Sequence, residues 1–287
     1  MLTQGAYFVN RPVRYAGPGT RDRGGGWPAG SIAAVVELLA QRLAAVPGVV
    51  GVVLGGSRAR GEHRPDSDTD LGVYYRARLD VDALRALAAE VAAEHDVYAP
   101  GDWGPWVDGG AWLTVDGRAV DWIYRDLDRV HGVWADCRAG RYTVERQAGH
   151  PLGFYSHAYA GELALCRVLA DPSGELAALR EQTRRYPAAL GDALVAGLWE
   201  AEFSIAGGRK APDDRVYAAG CVFRAVGVMA QALHGRAGRW TINEKGLVAS
   251  AARLPLAPTG FREQAEAALS DLDAAAELLE RVRAAVA

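Results

Sequence analysis

Residues 51–75 read GVVLGGSRARGEHRPDSDTDLGVYY, and this stretch decides the fold. Val52, Val53 and Leu54 form a short apolar, β-branched run of the length of a buried strand. The run breaks at Gly55-Gly56-Ser57. Two glycines let the backbone turn sharply and approach a ligand, and Ser57 adds a hydroxyl beside free backbone amides. That combination suits a phosphate. Eleven residues beyond Ser57, Asp68 and Asp70 flank Thr69, and Leu71-Gly72-Val73-Tyr74-Tyr75 continues as a strand. Side chains alternate along a strand, so Asp68 and Asp70 point to one face, Thr69 and Leu71 to the other. Two neighbouring carboxylates repel each other, and a hard divalent cation with oxygen ligands reverses that cost. A phosphate cradle followed by a metal-binding strand makes a coherent site for a nucleoside triphosphate.

The order GGS, short polar segment, D-x-D resembles the signature of the DNA polymerase β-like nucleotidyltransferase superfamily. The GSRARG and SDTDL segments are most similar to its small-substrate branch, which includes aminoglycoside and lincosamide nucleotidyltransferases and the minimal nucleotidyltransferases. The resemblance is strongest over about residues 50–125. It implies Mg²⁺, with ATP or another NTP as co-substrate, and transfer of a nucleoside monophosphate to a hydroxyl of a small-molecule acceptor with release of pyrophosphate. Asp68 and Asp70 then hold the metal. A third acidic residue from a later strand joins them in this superfamily to complete a second metal position, and Asp121 matches that place, so the resemblance implies a two-metal site. Antibiotic-modifying members take a general base from the start of the helical domain, a location Glu162 in HAYAGELAL matches. Either Asp121 or Glu162 fills the base role, and Glu162 equally reads as a solvated helix residue.

AWLTVDGRAVDWIYRD places Asp121 more closely. Asp116-Gly117 between alternating segments signals a two-residue hairpin. Pairing outward sets Thr114 opposite Ala119 and Trp112 opposite Asp121. Asp121 is thus a carboxylate within a strand with apolar neighbours, where an unpaired charge is costly.

The 287 residues leave room for one large or two ordinary domains, and half of them are hydrophobic. A net charge of −3 argues against an enzyme that grips a long nucleic-acid backbone. Cys137, Cys166 and Cys221 lack C-x-x-C spacing and suggest a reducing compartment, without disulfides or a zinc site. The histidines share no ligand spacing. No basic-then-apolar leader is evident, and no apolar run reads as membrane-spanning, so a cytoplasmic protein is expected. A homodimer is compatible with all of this.

Residues 1–29, rich in Gly, Pro and Arg, read as an N-terminal extension. Ser31 caps a helix carrying Ile32, Val36, Leu39 and Leu43 on one stripe, ended by Pro47-Gly48. Arg58 and Arg60 enter a short helix after Ser57, to meet a phosphate or simply to be solvated. Asp80 or Asp82 caps a second helix through ALRALAAEVAAEH, followed by the aromatic loop YAPGDWGPW with Tyr98, Trp103 and Trp106. These rings either fill the core or stack on a base or acceptor. Leu127 to Cys137 reads as a helix and residues 140–153 as a linker. Beyond it, FYSHAYAGELALCRVLAD and all later segments show helical periodicity. Lys245, one of few lysines, either neutralises triphosphate charge at a cleft or belongs to an exposed polar cluster. The expected architecture is α+β. A nucleotidyltransferase fold, a mixed sheet flanked by helices over 30–140, precedes a helical substrate-binding bundle over 150–287. A protein-AMPylating enzyme, an RNA-terminal nucleotidyltransferase and a non-catalytic nucleotide-binding protein of the same fold are the alternatives.

Overall fold

The computed structural model describes residues 32–64 and 67–287; the extension over 1–29 and the Ser31 cap lie outside them. The N-terminal half runs α1 (Ile32–Ala44), β1 (Val49–Leu54), α2 (Gly56–Arg60), β2 (Thr69–Tyr75), α3 (Val81–Val91), β3 (Glu94–Val97), β4 (Gly110–Val115), β5 (Arg118–Asp126) and α4 (Leu127–Arg138). Then come β6 (Val144–Gln147), β7 (His150–Tyr155), α5 (Ala158–Leu165), β8 (Arg167–Ala170), α6 (Glu175–Thr183) and α7 (Ala188–Ala196). The chain ends with α8 (Leu198–Arg209), α9 (Arg215–Arg236), α10 (Leu247–Ala251), α11 (Phe261–Ala268) and α12 (Leu272–Val286).

Six strands form one mixed sheet in the order β3-β4-β5-β2-β1-β8. Only the β2–β5 pair is parallel; its neighbours are antiparallel. Alternation along the strands sorts their side chains. Val52, Leu54, Leu71, Val73, Trp122 and Tyr124 join Leu39 and Leu43 of α1 and Leu84 and Leu87 of α3 in one buried core. Val53 and Tyr74, on the opposite face, pack into the second core with α4, α5 and the helical bundle. Asp70 shares its face with Tyr74, four residues on, and Asp121 lies on the face opposite to that of Trp122. Both carboxylates therefore face the bundle side of the sheet.

The β4–β5 hairpin has the expected register, with Trp112 opposite Asp121 and Thr114 opposite Ala119. Asp116 and Gly117 both carry positive φ, as a type I′ turn requires. Four expectations need correction. The helix expected through His95 stops at Val91, because the charged Glu94-His95-Asp96-Val97 becomes an exposed edge strand, a typical way to blunt a sheet edge. The linker expected over 140–153 is a two-stranded β6–β7 ribbon. The helix expected through Asp171 ends at Leu165. Cys166 turns extended, its carbonyl accepting a 2.8 Å bond from Arg180 Nε, and Arg167–Ala170 becomes the β8 edge strand beside β1. The second half thus completes the sheet of the first. Finally, α9 is long and apolar enough to cross a membrane by length and composition. It is apolar all round because α7, α8, α10 and α12 pack about it, and Val222 to Gly235 are mostly interior.

Candidate active site

The turn after β1 is tied directly to β2. The Gly55 amide donates to the Asp70 carbonyl at 2.8 Å. Gly56 adopts φ +60, and a Cβ added there would fall 1.8 Å from Asp70 Oδ2. Only glycine brings the backbone this close to that carboxylate. Arg58 does not point to open solvent: its Nε and Nη2 donate to the Ser67 carbonyl at 3.2 and 2.5 Å, and its Nε to the Asp68 carbonyl at 3.0 Å. It clamps the backbone that presents Asp68. Arg60 pairs with Glu62 at 2.8 Å near the surface.

Asp70 and Asp121 are direct partners in the parallel register of β2 and β5, so their side chains stand side by side on one face. Burial, and then the charges of Asp70 and Asp68, push Asp121 up to about 7. Burial likewise raises Asp70, with Asp68 and Glu162 adding to the shift. Among the described residues no donor hydrogen-bonds to the side chain of Asp68, Asp70 or Asp121, and no basic residue pairs with one. Three carboxylates left in mutual repulsion beside a glycine-lined turn fit a divalent cation. No three His, Cys, Asp or Glu side chains among the described residues stand close enough to hold a metal on their own. The expected three-carboxylate ligand set is therefore not assembled among the described residues, and one or two of these carboxylates would need substrate phosphates to complete a Mg²⁺ site.

An open cleft of about 310 Å³ sits over this face, lined by Ser57, Arg64, Ser67, Asp68, Asp70 and Lys245. Lys245 reaches it from the second half of the chain. The loop before it packs on α5 at Gly161, where an added Cβ would meet Ile242 at 3.0 Å and Trp240 at 3.3 Å. Glu244 of the same loop accepts from the Leu152 amide at 2.9 Å, and Asn243 accepts from the Lys245 amide at 2.9 Å. A close helix–loop contact at Gly161 thus holds Lys245, the one residue among the described residues that the C-terminal half contributes to the cleft lining.

Glu162, next along α5, is held elsewhere. Arg125 on β5, 3% exposed, donates from Nε and Nη2 to both carboxylate oxygens of Glu162 at 2.7 Å. The pair lies close enough for Glu162 to raise Asp70. Neither Glu162 nor Asp121 lines the cleft itself. Of the aromatic loop, Trp106 packs against Phe154 and Tyr159 in the core. Trp103 stacks on Trp112 at 4.8 Å, and Trp112 stays partly exposed beside Asp121.

Arg64, Ser67 and Arg125 escaped the sequence reading. Arg64 and Ser67 lie in the polar stretch between the turn and Asp68, where their amide–hydroxyl bond of 2.9 Å gives no periodic signal. Arg125 reads as an ordinary strand arginine until its partner, 37 residues on, is known.

Residues 35–100 match the family model described as a nucleotidyltransferase domain. That span includes Gly55, Gly56, Ser57, Asp68 and Asp70 and stops before Asp121. Among solved structures, a nucleotidyltransferase-like protein from Exiguobacterium sibiricum 255-15 aligns at 12% identity with a TM-score of 0.42, over 89% of this chain and 73% of that one. A comparison with curated proteins finds no match. The family-model match places the Gly-Ser turn and the paired aspartates inside a segment similar to a nucleotidyltransferase domain.

Proposed function

We propose that this chain transfers a nucleoside monophosphate, AMP from ATP, to a hydroxyl of a small-molecule acceptor, releasing pyrophosphate. The observation that carries this reading is the juxtaposition of the Gly55-Gly56-Ser57 turn with the unpartnered Asp68, Asp70 and Asp121 on one sheet face. In-line displacement at an α-phosphate needs charge neutralisation, positioning and a base. Mg²⁺ held by Asp68 and Asp70 would neutralise the triphosphate and polarise its α-phosphate. Gly56 and Ser57 would cradle the β- and γ-phosphates through amide and hydroxyl donors, with Gly55 fixing the turn to β2, and Arg64 and Lys245 add positive charge across the cleft. Arg58 serves this cradle by fixing the Ser67 and Asp68 carbonyls, and Arg60 by lowering the repulsion at Asp70.

Asp121 is the better general base. It titrates near neutrality and accepts no hydrogen bond, so a carboxylate oxygen is free to take the acceptor hydroxyl's proton. Both oxygens of Glu162 are occupied by Arg125, which makes Glu162 a positioning residue. A net charge of −3 on the chain favours a neutral or cationic acceptor such as an aminoglycoside-like amino sugar over RNA. A built-in helical half beside the cleft favours a small acceptor over a protein one. A cytoplasmic setting with millimolar MgATP suits this chemistry.

The test is pyrophosphate release from each NTP with Mg²⁺ against a panel of aminoglycosides, lincosamides and simple alcohols, with Asp68→Asn/Asp70→Asn protein alongside. Acceptor-dependent release that disappears in the double variant is the expected result. MgATP binding without release across the panel would point to a macromolecular acceptor. Absence of any nucleotide binding would overturn the reading.

A further inference from the structure

One register row crosses the cleft face of the sheet from edge to turn. Asp96 on β3 stands opposite Trp112 on β4, and Trp112 opposite Asp121 on β5. Asp121 in turn stands beside Asp70 on β2, whose carbonyl accepts from the Gly55 amide at the end of β1. Cross-strand partners share a face, so five positions stand in line from the phosphate turn to the β3 edge. Trp112, in that line, is 44% exposed. Trp103 stacks on its indole at 4.8 Å and Tyr98 meets it edge-on at 5.4 Å. Gly110, two residues earlier on the same face, makes room for this brace, since an added Cβ would fall 2.8 Å from Trp103 Cη2. Trp103 therefore covers the Gly110 side of the ring. The other side looks along the strands to Thr114 and its partner Ala119, both small. Ala119 and Asp68 precede Asp121 and Asp70 on parallel strands, and Ser57 follows the antiparallel β1. The uncovered indole face is thus turned to the end of the sheet where Ser57 and Asp68 line the cleft. A ring braced on one side and open toward the cleft on the other is a stacking surface.

We propose that Trp112 is the platform on which the acceptor stacks and that Asp96 holds a cationic amine at the acceptor's far end, so that the acceptor is a ring compound bearing positive charge. This rests on the transfer reading above. In-line displacement puts the attacking hydroxyl and the departing pyrophosphate on opposite sides of the α-phosphate. With the phosphates at the β1 turn and the metal carboxylates on β2, the hydroxyl arrives from the side of β5 and β4. There Asp121 takes its proton, and Trp112 is the next residue in the row. Asp96 lies one strand further, about 10 Å from Asp121 at two strand spacings. It is exposed, and among the described residues no basic side chain pairs with it. A ring lying on Trp112 therefore has a carboxylate at each end, and the indole itself attracts a cation to its face. A neutral sugar gains the stacking without the charge.

Titration calorimetry of the full chain separates this proposal from the reading beneath it. The probes are kanamycin, a cationic amino sugar, maltotriose, a neutral sugar, and the Mg²⁺ complex of α,β-methylene-ATP, which cannot release pyrophosphate. With the analogue bound, the wild type is expected to hold kanamycin at least about 10-fold more tightly than maltotriose. Trp112→Ala is expected to weaken kanamycin at least about 10-fold, and Trp112→Phe to recover most of that loss. Asp96→Asn is expected to weaken it about 3-fold, and less at high salt. All three variants should bind the ATP analogue as the wild type does, with circular dichroism showing that each is folded. Unchanged kanamycin affinity in Trp112→Ala, or equal affinity for the two sugars, overturns the proposal. So does a loss that falls on the ATP analogue instead, which would put the nucleobase on Trp112. A wild type that binds the analogue but no kanamycin overturns the cationic acceptor alone, whereas one that binds no analogue overturns the transfer reading itself.

Discussion

Arg125 grips both oxygens of Glu162 at 2.7 Å, joining β5 of the sheet to α5 of the helical half beside the carboxylates of the cleft. Arg125 is almost wholly buried, and the neighbouring Glu162 carboxylate keeps it charged against the penalty of burial. Glu162→Leu leaves that cation without a partner and is expected to cost about 2–4 kcal/mol in urea denaturation. The double variant Arg125→Met/Glu162→Leu removes the stranded charge and is expected to be more stable than Glu162→Leu alone. A purely additive loss would show that the two side chains act independently.

Gly56 makes a second, sharper prediction. Its φ of +60 and the 1.8 Å approach of a virtual Cβ to Asp70 Oδ2 leave no space for any side chain. Gly56→Ala must displace either the turn or Asp70, at a strain of about 1–3 kcal/mol. The expected loss in kcat/KM is about 100-fold or more, the scale of removing one preorganised donor from a developing charge. Gly61→Ala, also at positive φ but with nothing within reach of the added methyl, is expected to lose stability without a comparable loss of activity.

The site was legible where its geometry is local. The GGS turn and the D-x-D strand are read from adjacent residues, and Asp116-Gly117 sets the register that puts Trp112 opposite Asp121. Tertiary partners were not legible. Cys166 to Ala170 continues an apolar helical pattern, and only the open edge of β1 turns it into a strand. Glu94 and His95 read as the polar end of the α3 helix, until β4 offers its backbone. The Arg125–Glu162 pair and the seat of the Lys245 loop on Gly161 depend on contacts between segments far apart in sequence, which periodicity does not encode.

The carboxylate cluster sets a pH dependence. Asp121 is raised in the folded protein to about 7, and Asp70 is raised as well. Between the ordinary aspartate value near about 4 and about 7, the folded state therefore binds more protons than the unfolded state. These two carboxyls take stability from metal-free protein as the pH rises through that window, while the buried His157 and His234, both lowered, pull the other way. The comparison with Asp121→Asn isolates the carboxylate: in EDTA the variant is expected to have the higher urea midpoint at pH 8, by a margin that shrinks toward pH 5. A divalent cation must displace those protons, so Mg²⁺ should stabilise the protein more at pH 8 than at pH 6. An Asp121→Asn protein whose midpoint changes from pH 5 to pH 8 in EDTA by the same amount as the wild type would contradict the assignment.

Lys245 separates substrate binding from chemistry. It lines the cleft with Ser57 and Arg64, opposite Asp68 and Asp70, but sits on a loop anchored by Glu244 to Leu152 rather than on the sheet that carries the carboxylates. Its ammonium is placed to meet triphosphate charge already present in the bound substrate, and such an interaction acts on the ground and transition states alike. Lys245→Ala is therefore expected to raise KM for MgATP about 10-fold, equivalent to about 1.4 kcal/mol, with kcat nearly unchanged. Lys245→Arg keeps the charge and should recover most of the affinity, while raising the salt concentration should weaken the wild type more than the alanine variant. If kcat falls instead and KM holds, the lysine acts on charge that develops during transfer, and its place is at the α-phosphate rather than along the triphosphate tail.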